Sequence, residues 1–251
     1  MHLIENPSGN YRFLTGIAPY SAGVTAMPGF EIVRATLQRP IPYRAGFDAV
    51  IAHLATRDRP RAALCAVELR LPAPLSFAGF ADFNAGYQAL LADWDLLVDG
   101  RNPVARTNIA PAYAAPPEPS LYAFSYTVPS SRPGPSFIVA GAGDLRDQAD
   151  LSAAAVVRPG ETTPDALRQK AETVMSVMQE RLSGLCAGWD NVTAVDIYTA
   201  EPVDSYLADV VLQPIGAAAI HGVTWHYSRP PIANLVYEMD LRGVQNEIRI
   251  E

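Results

Sequence analysis

Val128-Pro-Ser-Ser-Arg-Pro-Gly-Pro135 lies almost at the midpoint of a 251-residue chain. Proline fixes φ and removes a backbone donor, so this stretch reads as an extended connector over residues 129–135. What stands on either side of it decides the fold. Before it, Phe30–Leu37 is rich in β-formers, and Tyr43–Ala55 places Phe47, Val50, Ile51 and Leu54 on one helical face. Leu64–Leu71 alternates as a strand and is stopped by Pro72 and Pro74; Phe80–Leu97 reads as a second helix, and Arg106–Ile109 and Leu121–Val128 as strands. After it the order repeats. Ser136–Gly141 is a strand, and a helix opens at Thr163 (N-cap) and Pro164 and runs to about Leu185. Val192–Tyr198 is a strand, Val203–Ile215 a shorter helix, and Gly222–Tyr227 and Leu235–Leu241 the last strands.

Each half therefore contains a β-α-β crossover, and the shared order predicts an α/β (α+β) chain built by internal duplication. The expected modules are residues 1–128 and 136–251, each with the order strand, helix, strand, helix, strand, strand. A single α/β domain with coincidental spacing is the alternative reading of the pattern alone.

Composition narrows the function. Charged residues make up 18% of the chain and hydrophobic ones 49%, which leaves little charge to cover a monomer and points to an oligomer. The net charge is −7 and no Lys/Arg stripe occurs, which argues against nucleic acid and anionic membranes as partners. Lys170 is the one lysine, so Schiff-base chemistry would have to use it. Cys65 and Cys186 sit in apolar contexts that read as buried thiols, with no CxxC and no zinc-type spacing. The start, Met-His-Leu-Ile-Glu-Asn-Pro, has neither a basic n-region nor an apolar run, and no stretch is long enough to cross a bilayer, so a cytoplasmic location is expected.

Several segments resemble the reactive-intermediate deaminase (Rid, or YjgF) family in order and spacing. Pro19-Tyr-Ser-Ala-Gly-Val24 resembles the family's early Pro-Tyr-x-x-Gly-Val segment, and Asn84-Ala-Gly-Tyr87 its Asn-x-x-Tyr helix. Pro103-Val-Ala-Arg106 resembles the Pro-x-Arg segment. Phe137–Gly141 resembles the strand ending in Ser-Gly, and Leu235–Leu241 the final strand. The resemblance implies tandem Rid-like (chorismate mutase-like) modules, each a mixed sheet with two helices packed on one face, a homotrimer, and cofactor-free, metal-free hydrolysis of an enamine or imine of a carboxylate-bearing small molecule.

It also implies roles. Arg106 would grip the substrate carboxylate, with Tyr20, Asn84 and Gly141 lining the site, and Glu238 would place the hydrolytic water. Neither half carries a whole site. Ala123 stands where the first half's glutamate would align, and His221 where the second half's arginine would, so a composite site across the halves is expected, with His221 as a candidate proton-transfer or carboxylate-binding group. His226 reads as a packing residue, and Asp240 shares a strand face with Glu238. Among family members, 2-aminomuconate-type deaminases are the preferred comparison; an enol-ether hydrolase of the chorismatase kind and a catalytically silent metabolite-binding protein are the alternatives.

Overall fold

The computed structural model describes residues 1–251, and its strands join in one twelve-stranded mixed sheet served by three α-helices. Three short strands come first: β1 (Leu3–Asn6), β2 (Tyr11–Leu14) and β3 (Gly23–Ala26). The first half continues with β4 (Phe30–Pro42), α1 (Tyr43–Ala55), β5 (Leu64–Arg70), α2 (Phe77–Asp93), β6 (Ala105–Pro111) and β7 (Ser120–Pro129). The second half holds β8 (Phe137–Gly143), α3 (Pro164–Gly184), β9 (Ala194–Thr199), β10 (Thr224–Arg229), β11 (Glu238–Gly243) and β12 (Asn246–Ile250).

The two halves share one topology. In the first, β4 pairs with β7, β7 with β5, and β5 runs parallel to β6. In the second, β8 pairs with β11, β11 with β9, and β9 runs parallel to β10. The equivalent edge strands β6 and β10 then meet antiparallel at Ala110–Arg229 and Pro111–Ser228, which makes one sheet of two. Residues 130–136 are irregular, as the prolines require, but pairing crosses them both ways. β3 adds to β8 of the second half, while the C-terminal β12 adds parallel to β4 of the first. A small core of Tyr11, Phe13, Ile32, Ala66, Ala105 and Ala140 also draws on both sides.

Helix placement follows the apolar stripes. Phe47, Val50 and Leu54 of α1 and Tyr87 and Leu91 of α2 bury against the first half's sheet; each such side chain contributes about 1.5–3 kcal/mol. Thr163 accepts from the Ala166 amide and Pro164 fills the first helical position of α3, whose Leu167, Val174, Met178 and Leu182 pack on β8, β9 and β11.

The second half departs from expectation at its second helix. Val203–Ile215 forms a π-type turn over Leu207–Leu212, followed by a 3-10 turn over Gly216–His221. Pro214 explains it: without an N–H, and with a ring that would strike the carbonyl of Val210, it cannot sit inside an α-helix. This half therefore has one α-helix on its sheet, not two. The last long strand also starts three residues later than Leu235. Asn234 is in the left-handed region (φ 78°), and the amides of Val236 and Tyr237 donate to Asp144 Oδ1 instead of a neighbouring strand. Cys65 is buried as expected, but Cys186 is exposed. It takes the left-handed position (φ 57°) just past α3, where Ala187 N donates to Leu182 O and Cys186 N to Ser183 O, a Schellman-type stop.

Candidate active site

The sheet curls until β8 lies against β6. Gly141 N donates to Thr107 Oγ1 at 3.0 Å, and Ser21 N donates to Val104 O at 3.1 Å. That closure brings strands from both halves around a cavity of about 30 Å³, room for one or two waters. Its walls include Arg106 and Asn108 of β6, Gly141 of β8, Glu238 at the start of β11, and Tyr20. Five of the six residues expected at the site are thus gathered: Arg106, Tyr20, Gly141 and Glu238 line the cavity, and Asn84 stands behind Arg106.

Arg106 is 3% exposed and has no carboxylate partner. Its Nη2 donates to Asn84 Oδ1 at 2.5 Å, while Nη1 is buried without a hydrogen-bond partner in the protein. Helix α2 shapes this environment. Ser76 caps it by accepting from Gly79 N at 3.0 Å, and its inner face then presents Phe80, Phe83, Asn84 and Tyr87. The guanidinium carbon lies 4.5 Å from the Tyr87 ring centre, 4.8 Å from Tyr20, 5.6 Å from Phe83 and 5.7 Å from Phe80. Aromatic faces hold a cation without neutralising it. Burial draws the guanidinium down from its ordinary value, partly offset by Tyr87, Tyr20 and Glu238.

Glu238 is 4% exposed and makes neither a hydrogen bond nor an ion pair through its carboxyl group. Burial, reinforced by Asp240, pushes its pKa well above the ordinary carboxylate range, against the pull of Arg181 and Arg106. A buried guanidinium and a buried carboxyl that share a cavity yet do not pair leave a gap between them.

Gly141 is required at the point of closest approach: a Cβ there would collide with Glu238 Oε1 and stand 3.0 Å from Thr107 Cγ2. Gly141→Ala should therefore lower kcat at least tenfold and cost about 1–3 kcal/mol in stability, read by steady-state kinetics and urea melts.

His221 does not join the site. It is exposed at the end of the 3-10 turn that replaces the expected helix, so the proton-transfer or carboxylate-binding role expected for it has no support in this arrangement. His226 stacks on Tyr198 with ring centres 4.7 Å apart and bonds Asp196 at 3.2 Å, a packing role. Asp240 shares a face with Glu238 but lies by a separate cavity of about 10 Å³, with Arg34, Glu68 and Arg242. Its Oδ2 accepts from Tyr198 at 3.1 Å, and burial, then Asp196 and Glu68, push its pKa up to about 8.

Sequence reasoning missed Asn108, whose amide nitrogen and oxygen are both buried without partners. Its position two residues after Arg106 on one strand was the available signal, because strand side chains repeat every two residues. It also missed the anchor behind β11. Lys170 is fully buried, its Nζ donating to Asp144 Oδ2 at 2.7 Å and to Val157 O, while Asp144 Oδ1 holds the two amides just before Glu238. The one lysine thus positions the loop and does not face the cavity. Lys170→Met should cost about 3–5 kcal/mol by stranding a buried carboxylate, and adding Asp144→Asn should recover part of that loss in the same denaturant titration.

No group of three or more His, Cys, Asp or Glu is arranged to hold a metal ion. No helix is long and apolar enough to cross a membrane.

A crystal structure of a chorismatase superposes with a TM-score of 0.46 at 13% identity, covering 89% of this chain and 77% of that one. A 2-amino-5-chloromuconate deaminase of Comamonas testosteroni is 42% identical over 241 residues, 95% of either chain. The family model for the 2-aminomuconate deaminase CnbZ matches residues 3–248. The chain therefore belongs to the 2-aminomuconate deaminase family.

Proposed function

We propose that this enzyme is a cofactor-free hydrolytic deaminase that converts a 2-aminomuconate-type enamine to the 2-oxo acid and ammonia. The observation that carries the reading is the unpaired couple: Arg106, caged by aromatic rings with Nη1 free, facing a buried Glu238 with no partner of its own. A planar guanidinium suits a carboxylate because it offers parallel donors, and the free amide of Asn108 lies on the same wall.

The chemistry then asks little more. Glu238, whose burial favours the protonated form, delivers a proton to the enamine carbon and leaves an iminium at C2. Water attacks C2 while the Glu238 carboxylate takes one of its protons. That proton passes to nitrogen, the C–N bond breaks with its electron pair leaving as ammonia, and the hydroxyl proton returns to Glu238. Enamine plus water gives oxo acid plus ammonia, with the carboxyl group restored. The Coulomb pull of Arg181 and Arg106 steadies the carboxylate between these transfers.

The halves are read as diverged copies of one Rid-like module, supported by their identical strand order, with the site assembled from β6 of one copy and β8 and β11 of the other. A homotrimer is proposed with them. The exposed Trp225 and Tyr227 lie on β10, Ile220 on the turn before it and Tyr113 just past its partner strand β6, an apolar surface suited to a neighbouring copy. Light scattering should return three times the 27.0 kDa chain mass; a monomer would remove this part of the reading.

Ammonia release from freshly generated 2-aminomuconate tests the function directly. Stoichiometric ammonia and 2-oxo acid are expected, and binding without turnover would contradict the hydrolytic assignment.

A further inference from the structure

Among the buried arginines, Arg34 and Arg70 are tied to Glu68, and only Arg106 and Arg181 have no carboxylate within ion-pairing distance. Arg106 belongs to the site described above. Arg181, on the inner face of α3, is 5% exposed and uses only Nη1 within the protein, donating to Ala140 O at 2.8 Å and Gly141 O at 3.0 Å. Its remaining donors belong to a side chain that lines a second, larger cavity of about 460 Å³. That volume falls in the usual range for small-molecule sites.

The two cavities abut. Tyr20 and Gln148 line both, Tyr20 from the segment before β3 and Gln148 from the loop after β8. Gln148 is held by its own Nε2, which donates to Gly143 O at 2.9 Å and Leu145 O at 3.1 Å. Arg181 also reaches the chemistry electrostatically, acting on both Tyr20 and Glu238. The larger cavity opens past Arg146, Asp147 and Glu180, all exposed, so charge at its mouth is of mixed sign and screened by solvent. Arg181 is the one desolvated charge along its wall.

We infer that Arg181 is the specificity-determining residue for a second, distal carboxylate: the substrate bridges the two cavities past Tyr20, with one carboxylate on Arg106 and the other on Arg181. This deepens the deaminase reading and rests on it. A desolvated cation without a counter-ion rewards an incoming anion far more than an exposed one does. A six-carbon dienedioate presents two such anions at its ends, whereas a mono-acid of the same skeleton would leave Arg181 buried and uncompensated.

The test uses two unreactive probes with one conjugated skeleton: muconate, a dicarboxylate, and sorbate, in which a methyl group replaces the distal carboxylate. Inhibition constants of both are measured for the wild-type enzyme, Arg181→Gln and Arg106→Gln, with thermal melts of each. Wild type should prefer muconate. Arg181→Gln should weaken muconate by roughly thirtyfold or more and leave sorbate within about threefold, so that the preference collapses. Arg106→Gln should weaken both probes. Should Arg181→Gln fail to fold, Arg181→Lys keeps the charge but not the planar fork, and should weaken muconate roughly tenfold with sorbate unchanged. Equal losses for both probes in the Arg181 variant, or no loss for either, would overturn the inference. Insensitivity of both probes to Arg106→Gln would instead remove the underlying site reading.

Discussion

Arg106→Ala lowers kcat/KM for the muconate-type substrate by at least a hundredfold, mostly through KM. Truncating one member of a buried charge pair costs about 2–5 kcal/mol, and a hundredfold corresponds to about 2.7 kcal/mol. In the free enzyme Arg106 has no anion to lose, so the loss falls on the complex and not on the fold. Arg106→Lys should recover little, since an ammonium offers no planar fork and cannot reach Asn84 and substrate together. Asn84→Ala should give a smaller loss of the same kind, because it frees the Nη2 end of the guanidinium. An unaltered kcat/KM in Arg106→Ala would mean that the substrate carboxylate is held elsewhere.

The second large effect is on turnover. Glu238→Gln should reduce kcat by about 10²–10⁴-fold, the usual worth of a positioned acid–base group, with KM changed little. The amide keeps size and shape but cannot exchange the proton. The pH behaviour separates this from a packing defect. The acid form donates, so wild-type activity should fall as pH rises through the elevated pKa of Glu238, and that alkaline limb should vanish in Glu238→Gln.

Stability should move the other way. A carboxyl whose folded pKa is raised gives its full stabilisation below the unfolded value of about 4.3 and loses it as pH climbs through the folded value. Replacing it by a neutral amide should therefore raise the melting temperature, most at alkaline pH, while turnover collapses. Loss of both activity and stability would mark Glu238 as structural.

The repeated order of strands and helices was legible because apolar spacing and proline breaks report local structure: Tyr43–Ala55 and Pro164–Gly184 form where that spacing places them, and the strand expected over Phe30–Leu37 forms and runs five residues further, to Pro42. What crosses between the halves was not legible. β3 adding to β8, and β12 to β4, are long-range pairings that no local pattern encodes. The irregular segment over Leu207–His221 follows from Pro214, a signal present in the sequence but outweighed there by the apolar run around it.

The same division holds at the site. Resemblance singled out Arg106 and Glu238, and the closure of β8 on β6 sets both on the wall of one cavity, which no local pattern encodes. Arg181 was hidden because a helix face of mostly apolar residues reads as core, and only its burial without a carboxylate partner sets it apart. His221 was misplaced because alignment by position assumes that the second half keeps the first half's second helix, which it lacks.

A crystal structure of the Glu238→Gln variant soaked with 2-aminomuconate tests whether a guanidinium from one half and a carboxyl group from the other act on one bound molecule. It should show one carboxylate within hydrogen-bond distance of Arg106 Nη1 and Asn108, and C2 beside residue 238. Density for the ligand with Arg106 and residue 238 in contact with different molecules, or with neither in contact, would contradict the account.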